Sequence, residues 1–154
     1  MTPDNDLPTP TPQAHPPDPS PDDIGQPSPS SDSLVILLAE DNLSNVETFM
    51  SYLTYKKHQV IVATNGQEAI ALAQEHNPDV ILMDIHMPIV DGFEAIKTIR
   101  TLSTLKSVPI IALTALAMPG DQEKCLRVGA DAYLSKPVRL KELNAMVTSL
   151  VRRH

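Results

Sequence analysis

Five short apolar runs, separated by segments with helical spacing, constrain this chain more than any other feature. The first, Leu34-Val35-Ile36-Leu37-Leu38-Ala39, is continuous rather than alternating, as expected of a strand covered on both faces. After Glu40-Asp41-Asn42, the residues Leu43, Val46, Met50 and Leu53 recur at helical spacing, with Asn42 placed to cap the helix. Val60-Ile61-Val62-Ala63 is the second run, Asn65-Gly66 reads as a turn, and Gln67 to Glu75 favours helix. Val80-Ile81-Leu82-Met83 is the third, ending at Asp84. A loop through Pro88 and Asp91-Gly92 leads from it to a helix with Phe93, Ile96 and Ile99 on one side. Val108 to Leu113 is the fourth run, Asp121 to Val128 fits a helix stopped by Gly129, and Ala132-Tyr133-Leu134 is the fifth. Leu140, Leu143, Val147 and Leu150 line one stripe of a last helix. Such alternation predicts an α/β fold of right-handed crossover units, with helices on both sides of an open, doubly wound parallel sheet. Ligands of such sheets bind beyond the carboxyl ends of the strands, at a topological switch point.

The alternation begins only at Leu34. Residues 1–33 hold 10 of the 15 prolines, six aspartates and no Lys or Arg, so they carry −6 of the net charge of −7. With few apolar groups to bury and many prolines that donate no backbone hydrogen bond, this segment is expected to be a disordered tail or linker. Pro16-Pro17-Asp18-Pro19 fits PxxP but lacks a basic flank, and it is assigned no binding role. Residues 34–154 are then expected to form one domain, without internal repeats. The acidic balance argues against a nucleic-acid partner. The lone Cys125 supplies neither a disulfide nor a thiolate metal site. No run reaches the roughly 18 apolar residues of a membrane span, and no secretory signal opens the chain, so a cytoplasmic protein without direct membrane contact is expected.

The polar residues just past the strand ends are Glu40 and Asp41, Asp84, Thr114, and Ser135-Lys136. Each has an ordinary explanation as a cap, a strand end or a solvated lysine. Together they bring three carboxylates, a hydroxyl and an ammonium to one edge of one sheet. Carboxylates that close repel unless a cation or proton intervenes, and an all-oxygen set suits Mg²⁺. A phosphoryl group could complete such a site, with Lys136 balancing its charge, Thr114 donating a hydrogen bond and Asp84 serving as nucleophile.

Glu40-Asp41-Asn42, Met83-Asp84-Ile85-His86-Met87-Pro88 with Asp91-Gly92, Leu113-Thr114-Ala115 and Tyr133-Leu134-Ser135-Lys136-Pro137 resemble, in order, the motifs of response-regulator receiver domains. The details around Thr114 to Met118, Asp121 and Cys125-Leu126 are most similar to receivers of hybrid histidine kinases, in which case the proline-rich segment would be a linker from a kinase. The resemblance implies a flavodoxin-like (βα)5 fold with strand order 2-1-3-4-5. It implies that Asp84 accepts a phosphoryl group from a phosphohistidine on a sensor histidine kinase or histidine phosphotransfer protein. It further implies Mg²⁺ held by Glu40, Asp41, Asp84 and the backbone carbonyl of His86, phosphoryl contacts from Thr114 and Lys136, a rotamer change of Tyr133 coupled to Thr114, and a cis bond before Pro137. Partner choice would lie on the first helix near Asn45 to Tyr52. With no DNA-binding segment expected after the last helix, the output would be protein binding, phosphoryl relay or control of an attached domain, with homodimerisation on phosphorylation left open.

Three other readings fare less well. A dehalogenase-like phosphatase would need a second aspartate where His86 stands. Nucleotide or flavin binding would need a glycine-rich cradle, and Gly25, Gly66, Gly92, Gly120 and Gly129 spell none. A phosphorylation-independent module would usually lack part of the acidic and lysine set. His86 and Leu116 are expected to hinder the hydrolytic water and lengthen the phosphoryl lifetime. His58 and His76 are expected at the surface, Met50, Met83 and Met146 in the core, and Cys125 as a small buried helix residue.

Overall fold

The structure is a computed structural model, described here over residues 33–115 and 119–152. The expected tail, Ser33 apart, lies outside the described residues, as does Leu116. Five strands and five helices alternate: β1 (Val35–Ala39), α1 (Leu43–Tyr55), β2 (Gln59–Ala63), α2 (Gly66–His76), β3 (Val80–Asp84), α3 (Gly92–Arg100), β4 (Ile110–Thr114), α4 (Asp121–Val128), β5 (Ala132–Ser135) and α5 (Leu140–Arg152). All strand pairs are parallel and the order is β2-β1-β3-β4-β5. The chain therefore reverses its direction of winding between β1 and β3, which places the switch point between the ends of those two strands.

The continuous apolar runs have the double burial they imply. Leu37, Ala39, Ile81, Met83, Ile110 and Ala112 face a core completed by Ala69 and Ala73 of α2, Ala95, Ile96 and Ile99 of α3, and Cys125 of α4. Their neighbours Ile36, Leu38, Val80, Leu82, Ile111 and Leu113 face the other core, with Phe49 and Leu53 of α1 and Leu143, Val147 and Leu150 of α5. Period-two alternation thus sends every second side chain to each helical layer. Among the described residues no helix is long and apolar enough to cross a membrane.

Short polar side chains start the first three helices that lead away from the carboxyl edge. The side-chain oxygens of Asn42, Asn65 and Asp91 accept hydrogen bonds from the N–H groups of Asn45, Glu68 and Glu94, at 3.0, 2.8 and 2.9 Å. Asn65-Gly66 is therefore a cap and first helical residue rather than a free-standing turn. β4 starts at Ile110 instead of Val108 because Pro109 has no N–H for the ladder; its carbonyl still accepts from Ile81 at 2.9 Å.

Two expectations about burial fail. Met50 is 37% exposed, because Phe49, one position earlier and rotated by about 100° around the helix, takes the core position between Val46 and Leu53. His58 is buried: its Nδ1 accepts the Leu34 N–H at 3.1 Å and its Nε2 lies 3.4 Å from Asn144 Oδ1 on α5. The chain enters β1 under cover, so the Leu34 N–H needs a protein acceptor, and the imidazole supplies one. Met83 and Cys125 are fully buried, Met146 packs against the second core, and His76 is exposed beside Glu75.

The opposite edge of the sheet depends on Arg100, whose importance was not apparent in the sequence. Its Nε donates to the carbonyl of Gly129 at 2.9 Å, and its Nη1 reaches those of Leu105, Lys106 and Val108 at 3.1, 3.1 and 2.7 Å. Nη2 pairs with Asp131 Oδ2 at 2.9 Å, and that same oxygen accepts the N–H of Ile110. One guanidinium thus joins the end of α3, the connection to β4 and the turn before β5, a task suited to its rigid fork of donors. Burial pushes its pKa down, against the pull of Asp131. Arg100→Met leaves those acceptors unpaired and is expected to cost about 2–3 kcal/mol in urea unfolding, whereas loss of an exposed arginine would cost little.

Candidate functional site

At the switch point, β1 delivers Glu40 and Asp41, β3 ends on Asp84, β4 ends on Thr114, and Lys136 follows β5. Hydrogen bonds that prolong the ladder fix these positions: Glu40 N–H to Ala63 at 2.9 Å, Ile85 N–H to Leu113 at 2.9 Å and Lys136 N–H to Thr114 at 2.7 Å. Each side chain is thus placed by a strand rather than by a free loop. Glycine admits the last close approach. A Cβ on Gly92 would lie 2.4 Å from the carbonyl oxygen of Asp84, so only a residue without one lets α3 start this close to the end of β3.

Glu40 is fully buried, Asp84 is 3% exposed and Asp41 is exposed. One carboxylate oxygen from each of the three lies within 4.8 Å of the others. Lys136 Nζ donates to Glu40 Oε1 at 2.8 Å and to Asp84 Oδ2 at 3.1 Å. The remaining oxygens are met by backbone: Glu40 Oε2 accepts the Asn42 N–H at 3.2 Å, and Asp84 Oδ1 accepts the His86 N–H at 3.1 Å. The lysyl-prolyl bond at Lys136-Pro137 is cis.

Three carboxylates face one ammonium, so the cluster is short of positive charge. Burial, followed by repulsion from Glu40, raises the pKa of Asp84 to about 6, against the pull of Lys136. Burial alone would lower the pKa of Lys136, but its hydrogen bonds to Glu40 and Asp84 raise it overall, so it stays charged. A hard divalent cation on the three carboxylates would relieve the imbalance, and the all-oxygen donor set fits one.

Thr114 is buried at the end of β4, next to Ser135 across the ladder and one residue beyond the Leu113 that pairs with Asp84. Tyr133 lines a cleft with Thr114 and the first residues of α4, and its hydroxyl donates to Gln122 Oε1 at 2.8 Å. His86 is exposed. The structure therefore joins Glu40, Asp84 and Lys136 by direct contact, brings Asp41 within 4.8 Å of the other two carboxylates, and sets Thr114 and Tyr133 along the adjoining strands. The contributions of Gln122 and of Gly92 were missed. A glycine next to Asp91 was visible in the sequence, but its contact with the Asp84 backbone was not, and nothing local marks Gln122.

A parallel five-stranded domain with acidic groups and one lysine at its switch point is the form of a phosphoryl-handling signalling module. Residues 36–148 match the response regulator receiver domain family, and the chain belongs to it. It is a receiver in two-component phosphorelay signalling, a signalling switch. It is 42% identical over 103 residues to the polar-differentiation response regulator DivK of Brucella anthropi, covering 67% of this chain and 84% of that one. Among solved structures it resembles the receiver domain of a sensor histidine kinase from Pseudomonas aeruginosa, which has a magnesium ion coordinated in its active-site cleft. The TM-score there is 0.74 and the identity 37%, covering 78% of this chain and 98% of that one. It also resembles the receiver domain of Ssk1 crystallised with the histidine phosphotransfer protein Ypd1 of Saccharomyces cerevisiae, with TM-score 0.73 and 33% identity, covering 79% and 90% of the two chains.

The raised pKa of Asp84 has a signed consequence for the cation-free protein. The folded state holds a proton that the unfolded state, with the ordinary carboxylate value of 3.8, has already lost, so this stabilisation is complete below pH 3.8 and disappears as pH rises through about 6. Asp84→Asn removes the buried charge. It is expected to be more stable than wild type by about 1–3 kcal/mol at pH 7.5 without divalent cations, with the difference vanishing at pH 4. Urea unfolding at the two pH values measures it, and a pH-independent difference would contradict the assignment.

Proposed function

We propose that Asp84 is the phosphoryl acceptor of this receiver, and that Glu40, Asp41, Asp84 and the backbone carbonyl of His86 hold the Mg²⁺ that the reaction needs. The observation that carries this reading is the buried Asp84 carboxylate, held 3.1 Å from Lys136 and beside Glu40 at the switch point. Ionised Asp84 attacks phosphorus as the P–N bond of a phosphohistidine breaks and the imidazole nitrogen takes the bonding pair. Lys136 and the Thr114 hydroxyl meet the phosphoryl oxygens, and a Mg²⁺ held by the three carboxylates would supply the remaining positive charge. Burial makes Asp84 a more basic nucleophile than a solvated aspartate, while its pKa of about 6 still leaves it largely ionised at neutral pH.

The donor on this reading is a sensor histidine kinase or histidine phosphotransfer protein in the cytoplasm, and neither nucleic acid nor a membrane takes part. Tyr133 carries the change outward: engagement of Thr114 by the phosphoryl group alters the cleft it shares with Tyr133 and the start of α4. The domain removes its own phosphoryl group when water attacks phosphorus and regenerates the carboxylate.

Intact-mass analysis after incubation with Mg²⁺ and acetyl phosphate is expected to find one added phosphoryl group on wild type and none on Asp84→Asn or after chelation. Beryllofluoride, a stable phosphoryl mimic, serves as a second probe for a short-lived adduct. Binding of neither overturns the reading in favour of a phosphorylation-independent module. The exposed His86 imidazole, two residues beyond Asp84, hinders the hydrolytic water. His86→Ala is therefore expected to lose its phosphoryl group faster than wild type, and an unchanged or slower rate sinks that role.

A further inference from the structure

Asn65-Gly66 is singled out by its packing and by its covalent chemistry. Of the six asparagines in the chain, Asn65 alone precedes glycine. No Cβ then shields the following backbone nitrogen, so that nitrogen can reach Cγ of the asparagine side chain. The fold cannot exchange this glycine for a bulkier residue. The Gly66 N–H donates to the Val90 carbonyl at 3.0 Å, and a Cβ on Gly66 would collide with that carbonyl.

Val90 closes a strained turn. Its N–H donates to the Pro88 carbonyl at 2.8 Å around Ile89, whose φ of +70° crowds a β-branched side chain against its own backbone. The loop begins after the buried Asp84 and ends where the Gly92 N–H donates to Ile85 at 2.8 Å. The start of α2 thus braces the segment that follows Asp84, through one hydrogen bond from Gly66.

We propose that Asn65 is a modification site held in check by this brace: when the Gly66–Val90 hydrogen bond opens, Asn65 converts to isoaspartate, and the product keeps the bond from closing again. The Gly66 nitrogen gives its electron pair to Asn65 Cγ and forms a C–N bond, while its proton passes through water to the side-chain nitrogen, which leaves as ammonia. Water then adds to either carbonyl of the succinimide ring and opens it to aspartate or to isoaspartate, in which the main chain runs through the former side chain.

Two bonds of the folded state oppose the attack. Val90 holds the Gly66 proton, and Asn65 Oδ1 is tied to the Glu68 N–H at 2.8 Å. Glu68 completes this cap, its Oε1 accepting the Thr64 N–H and hydroxyl at 2.7 and 3.1 Å. The aspartate product retains the cap and adds a charge that the start of a helix favours. Isoaspartate inserts a backbone carbon ahead of Gly66 and displaces its N–H from Val90, which releases the turn at Ile89.

The test incubates the full chain at about pH 8 in buffer and in concentrated guanidinium chloride, and follows Asn65 by peptide mass and by enzymatic methylation of isoaspartate. In denaturant Asn65 is expected to react ahead of the other asparagines, and in buffer about tenfold more slowly than in denaturant, because only locally opened molecules react. Glu68→Ala, at an exposed position, loosens the cap and leaves the Asn-Gly pair intact. It is expected to raise the rate in buffer several-fold without changing the rate in denaturant. Equal rates in buffer and denaturant, or a Glu68→Ala rate in buffer equal to that of wild type, overturns the proposal. Hydrogen exchange then compares the isoaspartate fraction with Asn65→Asp, which carries the same added charge on an unaltered backbone. Residues 85–92 are expected to exchange faster in the isoaspartate fraction, and equal exchange overturns the release of the turn.

Discussion

A parallel sheet covered on both faces leaves its polar groups nowhere to go but its ends, and the rest of this molecule follows from that constraint. The strand interiors are apolar on both sides, so Glu40, Asp84 and Thr114 sit where the ladder stops. Because winding reverses between β1 and β3, the connections there lead to helices on opposite faces of the sheet, with the carboxylates between them. The same strands that exclude water from the core hold these side chains in register, which is why a site assembled from four strand ends needs few contacts of its own.

The charge balance at that edge is deliberately incomplete. Lys136 bridges Glu40 and Asp84, and the backbone N–H groups of Asn42 and His86 meet the remaining oxygens of those two carboxylates. One ammonium still faces three acids. The resulting rise in the pKa of Asp84 is the electrostatic signature of a site that favours additional positive charge, and it makes this carboxylate more basic than a solvated aspartate. Stability is spent where chemistry occurs, while Arg100 secures the far edge with five hydrogen bonds from one side chain.

Much of this was legible in the chain because the relevant signals are local. Each strand appeared as an apolar run, and the cap Asn42 stood at the position where the first helix begins. Misreadings arose wherever a neighbour distant in sequence decided the outcome. His58 looked like a surface histidine because nothing nearby reveals that Leu34, 24 residues earlier, has a buried N–H to satisfy. Met50 fitted a helical stripe as well as Phe49 did, and only the position of the sheet chose between them. Gln122 gave no sign of its bond to Tyr133, and Gly66 looked like a turn residue until Val90 was found against it.

By itself, then, the sequence determined the order of strands and helices, the double burial of the sheet and the set of acidic, hydroxyl and ammonium groups at the strand ends. Periodicity and residue type are properties of neighbours along the chain, and they survive without coordinates. Tertiary structure alone decided that Lys136 reaches across 96 residues to Glu40, that Arg100 joins three segments, and that the turn at Ile89 is braced from α2. Those contacts depend on which strands lie side by side and how closely two backbones approach, and packing of the whole domain sets both.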